Sequence, residues 1–322
     1  MTTLDAPATI HDDLEDAFAS AGVRGLLHAV DIDTGAEIGL DADEPVVSAS
    51  IFKLPVLVEL CRQYSVGRLA PTDRVHVPAG EFLVGSGPGL AGMLDDVELS
   101  LRDLALLMMS VSDNRATDVI VSKVGLDAVN ATLRRFGLTE TAVDLDCGGL
   151  FATLREDTGL DLDRYHERVR QHGYDPELID LLRGIRCVTP AETDRTTPRE
   201  TTRLLAAVWR DEVVGPEAAR EARRVLGQQV WPHRLMSGFP DSRIRVSGKT
   251  GTMMFVRNEA AVVEYPDGAR MAIAVFLQEP HPEIRNPAAD RVIGTAAAIA
   301  ARHLLGQRAG DTDVSTEAGR RA

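Results

Sequence analysis

The chain has 322 residues, 44% of them hydrophobic and 26% charged, which is enough to bury a sizeable core and argues against wholesale disorder or a fibrous repeat. A net charge of -14 leaves no basic stripe to displace counterions from phosphates, so no nucleic-acid partner is expected. No apolar run is long enough to span a membrane, and the opening MTTLDAPATIHDD has no basic region followed by an apolar one, so a cytoplasmic location is expected.

In chain order, Ile10 to Ala21 has a helical spacing of Leu14, Phe18 and Ala21. Leu26 to Ile32 and Glu37 to Leu40 read as a strand pair about the turn Asp33-Thr34-Gly35-Ala36. A long helical run follows from Ser50 to Leu69, then a Gly- and Pro-rich excursion from Pro71 to Gly89. Helices are expected at Ser100 to Val111, Ala116 to Val124 and Leu126 to Phe136. Phe151 to Thr197 is less legible, with helices at Asp161 to His172 and Pro176 to Gly184. Thr202 to Trp209 and Pro216 to Leu226 continue the helical pattern.

Strands are expected at Arg243 to Ser247, Ala260 to Tyr265 and Met271 to Leu277, the last two joined at Pro266-Asp267-Gly268. An Ala-rich helix from Ala288 to Leu305 precedes a polar tail, 306–322, expected to be mobile. The order helix, strands, helices, strands, helix predicts an α/β (α+β) fold whose antiparallel sheet is built from both chain ends.

The three cysteines, Cys61, Cys147 and Cys187, include no Cys-x-x-Cys pair, so free thiols are expected, with a Cys147 to Cys187 bridge as the alternative. The histidines show no His-Glu-x-x-His or comparable spacing, and neither a metal nor another cofactor is expected. Trp209, Trp231, Met108 and Met109 read as core filling.

Three short motifs carry chemistry. Ser50 and Lys53 are one helical turn apart, and a serine hydroxyl becomes nucleophilic only beside a base such as an amine with a lowered pKa. Ser112-Asp113-Asn114 follows an apolar run, where an N-cap for the next helix is the simpler reading of the triplet by itself. Lys249-Thr250-Gly251-Thr252 follows a strand, where a strand edge with a Gly bulge is the simpler reading.

Together and in this order, Ser-x-x-Lys, Ser-Asp-Asn and Lys-Thr-Gly resemble the motif set of class A β-lactamases and penicillin-binding proteins. The resemblance extends over Ser50 to Val56, Leu99 to Thr117, Thr196 to Leu205 and Val246 to Gly268, and is poorest over Phe151 to Cys187. It implies one catalytic domain over 10–305, with an α/β lobe (10–48 and 228–305), an all-helical lobe (50–227) and the active site between them.

It also implies a serine hydrolase that cleaves a β-lactam or a related amide or ester. An acyltransferase, an esterase or a penicillin-binding protein with slow deacylation would use the same acyl-Ser50. Lys53 and Ser112 would move protons. Asn114, Lys249, Thr250, Gly251, Thr252 and Arg257 would bind a small, carboxylate-bearing substrate, and the N–H groups of Ser50 and Thr252 would form the oxyanion hole.

The family's deacylating glutamate, in a Glu-Pro-Glu-Leu-Asn-like segment, has no clean counterpart. Asp175 and Glu177, in Asp175-Pro176-Glu177-Leu178-Ile179, and Glu192, closer to Thr197-Pro198, are the candidates.

Overall fold

The computed structural model describes residues 9–79, 88–213, 215–283 and 285–318. Part of the Pro71 to Gly89 excursion therefore lies outside the described residues.

Helix α1 (Ile10–Ser20) starts at a capping box, in which Thr9 Oγ1 accepts from Asp12 N and the Asp12 carboxylate accepts from Thr9 N at 2.7 Å. Strands β1 (Arg24–Asp31) and β2 (Glu37–Leu40) form a hairpin whose turn is held by Asp31 Oδ1, acceptor for Asp33 N at 2.9 Å and Thr34 N at 3.2 Å. After the short β3 (Val46–Val47), a 3-10 turn (Ala49–Phe52) leads directly into α2 (Lys53–Ser65), which is buried along most of its length.

The helical region continues with β4 (Arg74–Val77), β5 (Val97–Ser100), α3 (Leu101–Ser110), α4 (Asn114–Val124) and α5 (Leu126–Arg135). Next come α6 (Cys147–Thr158), α7 (Leu162–His172), α8 (Pro176–Arg183), β6 (Arg195–Thr196), α9 (Pro198–Trp209) and α10 (Gly215–Leu226). The lobe expected to be all helical thus also carries a small antiparallel ladder of β4 with β5, and its β6 pairs with β3 of the α/β lobe. Helix α6 has no counterpart among the expected elements. It opens Cys-Gly-Gly, a poor helical start by propensity, and forms because the Asp146 side chain caps Gly149 N at 2.8 Å while Asp118 accepts from Cys147 N and Gly148 N.

The last strands, β7 (Arg245–Met253), β8 (Val256–Glu264) and β9 (Arg270–Gln278), complete a five-stranded antiparallel sheet in the order β2-β1-β9-β8-β7, so both chain ends build it as expected. Period-2 alternation divides β9 between two cores. Ala272, Ala274 and Phe276 pack towards α2, α9 and α10, whereas Met271, Ile273, Val275 and Leu277 pack towards α1 and the final helix α11 (Pro287–Ala318).

Helix α11 runs beyond Leu305, where a mobile tail was expected. The Arg308 guanidinium binds Asp31 at 2.8 Å and Asp33 at 2.9 Å, anchoring the added turn to the β1–β2 hairpin. Among the described residues no helix is long and apolar enough to cross a membrane.

Candidate active site

The three motifs converge on one cleft of about 760 Å³, lined by Ser50, Ser112, Asn114, Thr250 and Thr252 among others. Ser50 lies in the 3-10 turn that precedes α2, and Ala49 before it has φ +44°. Ser112 sits between α3 and α4 with φ +62°. For residues other than glycine this left-handed backbone is strained, and here it occurs at the nucleophile's neighbour and at the proposed proton relay.

The Ser112 conformation is held by its neighbour. Asp113 caps α4, its Oδ1 accepting from Arg115 N at 2.9 Å and Ala116 N at 3.0 Å, while Oδ2 accepts from Leu90 N at 2.7 Å. The N-cap reading of the triplet and its catalytic reading therefore apply to different residues of it. A side chain on Gly89 would place Cβ 2.2 Å from that Oδ2, so the loop reaches Asp113 only with glycine there.

Lys53 Nζ donates to Ser112 O at 2.7 Å and Asn114 Oδ1 at 2.7 Å, and lies 3.2 Å from Ser112 Oγ. Lys249 Nζ reaches the same hydroxyl at 3.0 Å and donates to Thr250 O at 2.8 Å. Both amines are fully buried. Burial lowers the pKa of Lys53. It lowers that of Lys249 further, reinforced by the positive charges of Lys53 and Arg234. A neutral Lys53 would satisfy every contact, because its two N–H groups match the two carbonyl-type oxygens and its lone pair faces the Ser112 hydroxyl.

The Lys-Thr-Gly motif lies inside β7, well past the strand end expected at Ser247. Pairing continues to Met253 opposite Val256, which keeps Lys249 to Thr252 in a regular ladder rather than at a bulge. Gly251 is dictated by proximity, since a Cβ there would come 2.9 Å from Ser48 O and 3.2 Å from Ser50 N. Asn258 Nδ2 clamps the same stretch from β8, donating to Val47 O at 3.0 Å and Ser48 O at 3.3 Å.

Arg257 lines the cleft as expected, but its guanidinium is already held by Glu279 at 2.7 Å, Asp290 at 3.1 Å and Glu283 O at 2.8 Å. The cation that touches the motif is Arg234, which the sequence reading missed. Its Nη2 donates to Thr252 Oγ1 at 2.7 Å, Nη1 to Gly251 O and Asn258 O, and Nε to Asp290 Oδ1 at 2.7 Å. No local pattern marks it, because it precedes β7 by a loop and meets the motif only in space. Trp231, expected in the core, is half-buried and also lines the cleft.

The three candidate deacylating carboxylates are not brought to Ser50. Asp175 caps α8 through Leu178 N at 2.8 Å and faces Arg168, Glu177 is 89% exposed beside that same arginine, and Glu192 is exposed at the end of a 3-10 turn. None of them lines the cleft. Local capping and surface pairing explain Asp175 and Glu177 without catalysis.

The buried carboxyl in that region is Asp194, also missed. Its Oδ1 accepts from Asp144 N and Leu145 N, its Oδ2 has no partner among the described residues, and its carbonyl receives Ser48 N. Burial pushes its pKa up to about 7. All three cysteines are buried free thiols, and Cys147 Sγ lies 3.5 Å from Asn114 Oδ1, on the side chain that also binds Lys53.

The chain is similar to known proteins over most of its length. The β-lactamase regulatory protein BlaB of Streptomyces cacaoi is 26% identical over 306 residues, covering 88% of this chain and 94% of the relative. A β-lactamase of Rhodobacter capsulatus is 23% identical over 270 residues, covering 83% and 80%. Among solved structures, the β-lactamase of Sphaerobacter thermophilus superposes with a TM-score of 0.68 at 24% identity, covering 88% of this chain and 95% of that one. A mutant of PBP-A, in an acyl-enzyme complex with penicillin G, superposes at 0.71 and 18% identity, covering 92% and 96%. The family model described as the beta-lactamase enzyme family matches residues 9–304, and the chain belongs to that family of serine hydrolases.

Proposed function

We propose that the chain forms an acyl-enzyme on Ser50 with a carboxylate-bearing β-lactam, or a related amide or ester, and releases the acyl group slowly. The observation that carries acylation is the pair of buried lysines meeting at Ser112 Oγ in the cleft that holds Ser50. In the first step Ser50 Oγ bonds to the carbonyl carbon and the C–N bond breaks. The serine proton passes to the neutral amine of the Lys53 and Lys249 pair, and a proton reaches the departing nitrogen through Ser112. The charged amine of the pair stabilises negative charge on that path, and Thr250 and Thr252, backed by Arg234, receive the substrate carboxylate.

Slow release is supported by the carboxylate inventory of the cleft. Among the described residues lining it, Asp290 is the acidic one, and Arg234 and Arg257 hold it. Activation of a deacylating water would need a carboxylate free to take a proton. A persistent acyl group suits a protein that reports β-lactam, in line with the regulatory role named for the Streptomyces cacaoi relative.

Intact-protein mass spectrometry after addition of penicillin G tests both halves. The expected result is a Ser50 adduct, absent from Ser50→Ala, that outlasts the free drug. Rapid loss of the adduct with turnover would refute slow release, and absence of an adduct would refute β-lactam acylation.

A further inference from the structure

Beyond the carboxylate that the motif residues would bind, the cleft carries cationic capacity that this single anion does not use. Four arginines line it, Arg234, Arg257, Arg285 and Arg291, against the one carboxylate of Asp290. In a chain of net charge -14 this is a local inversion of sign.

The four divide into two pairs. The inner pair is buried and compensated, Arg234 by Asp290 and Arg257 by Glu279 and Asp290. The outer pair, Arg285 and Arg291, is exposed and has no ion pair among the described residues. Other exposed arginines, such as Arg68 and Arg134, also lack an ion pair among the described residues, so what marks Arg285 and Arg291 is their place on the cleft lining.

The outer pair follows closely in sequence on residues that are in contact with the motif network. Thr252 Oγ1 meets Arg234, Arg234 meets Asp290 on α11, and Arg291 is the next residue. Arg257 grips Glu283 O, two residues before Arg285. The spare cations therefore border the carboxylate end of the cleft, the half that holds the leaving group of an acylated substrate.

We propose that Arg285 and Arg291 form a second anion subsite, and that the preferred substrates are dianionic, with one carboxylate on Thr250 and Thr252 and another on the leaving group reaching this rim. The inference deepens the acyl-Ser50 reading and rests on it for the orientation of the substrate. Two esters differing by one carboxylate test it, phenylacetylglycyl-lactate and phenylacetylglycyl-malate. In each, Ser50 Oγ bonds to the acyl carbon, the ester C–O bond breaks, and the hydroxy acid leaves with the proton.

At low salt the malate ester should be preferred by about tenfold in kcat/KM, through KM, in keeping with two partly exposed ion pairs. The preference should shrink in about 0.5 M salt and fall below about twofold in Arg285→Gln/Arg291→Gln. A ratio near one in the unmodified protein, or a preference that survives the double substitution, overturns the proposal. If neither ester acylates the protein, the acyl-enzyme reading fails for esters. Titration of Ser50→Ala, followed by the fluorescence of Trp231 in the cleft, then decides the subsite separately: tighter binding of the malate ester upholds it, and equal binding overturns it.

Discussion

The side-chain nitrogens of Lys53 and Lys249 end on the same oxygen, Ser112 Oγ, at 3.2 and 3.0 Å. Two ammonium groups sharing one acceptor in a buried site repel each other, so the arrangement favours one neutral amine, which in the proposed acylation would be the base for Ser50. Desolvation together with the Lys53 and Arg234 charges lowers Lys249 further than Lys53, whose Nζ has two carbonyl-type acceptors besides Ser112 Oγ, so Lys249 is the better placed to be the neutral one of the pair.

Replacing Ser112 by alanine removes the relay while leaving both lysines in place. The rate of Ser50 acylation by penicillin G, read by stopped-flow or mass spectrometry, should fall by about 10² to 10⁴. A loss below threefold would mean that protons reach the leaving nitrogen by another route.

Lys249→Met should separate stability from binding. The wild-type amine is fully buried and its pKa is held well below the ordinary value by desolvation. Removing it should raise the unfolding free energy by about 1 kcal/mol while weakening carboxylate-bearing substrates. Urea unfolding and KM measured on the same preparation check both signs.

At Gly251, alanine would push β7 away from Ser48 and Ser50, because two of the three close neighbours, Ser48 O and Ser50 N, are backbone atoms. The cost should be about 1 to 3 kcal/mol of stability, with a larger proportional loss of acylation than of folding. A variant with normal acylation would show that the strand can shift without disturbing the nucleophile.

Asp194 should leave a mark on stability against pH. Its folded-state pKa, about 7, lies above the ordinary value of 3.8, so between these limits the folded state binds the additional proton. The contribution is therefore fully present at acidic pH and is lost as pH rises through 7. Asp194→Asn should flatten that slope and gain on the order of 2 kcal/mol at pH 8 relative to wild type. Parallel slopes for the two proteins in urea melts across this range would exclude Asp194 as the source.

The candidate catalytic set was legible in the sequence because each motif is local. Ser50 and Lys53 share a helical face, Asp113 orients Ser112 through adjacent N–H groups, and β7 presents Thr250 and Thr252 by simple alternation. Helix α6 was not legible, since its glycines argue against a helix and the carboxylate of Asp118 that secures it comes from α4. The same limit hid Arg234, whose role depends on Thr252 and Asp290 arriving from different elements, and Asp194, whose altered pKa comes from burial alone.

Amino-acid order by itself determined the periodicities that make the helices and strands, and the residue types able to carry acyl transfer, because these depend on neighbours a turn or two away. Tertiary structure alone decided which charges are compensated. Arg257 was removed from the free cations by Glu279 and Asp290, Asp175 and Glu177 were turned to a cap and surface pairs, and two lysines far apart in sequence were brought to one hydroxyl. Electrostatic interaction depends on distance in space and on exclusion of water, neither of which is set by separation along the chain.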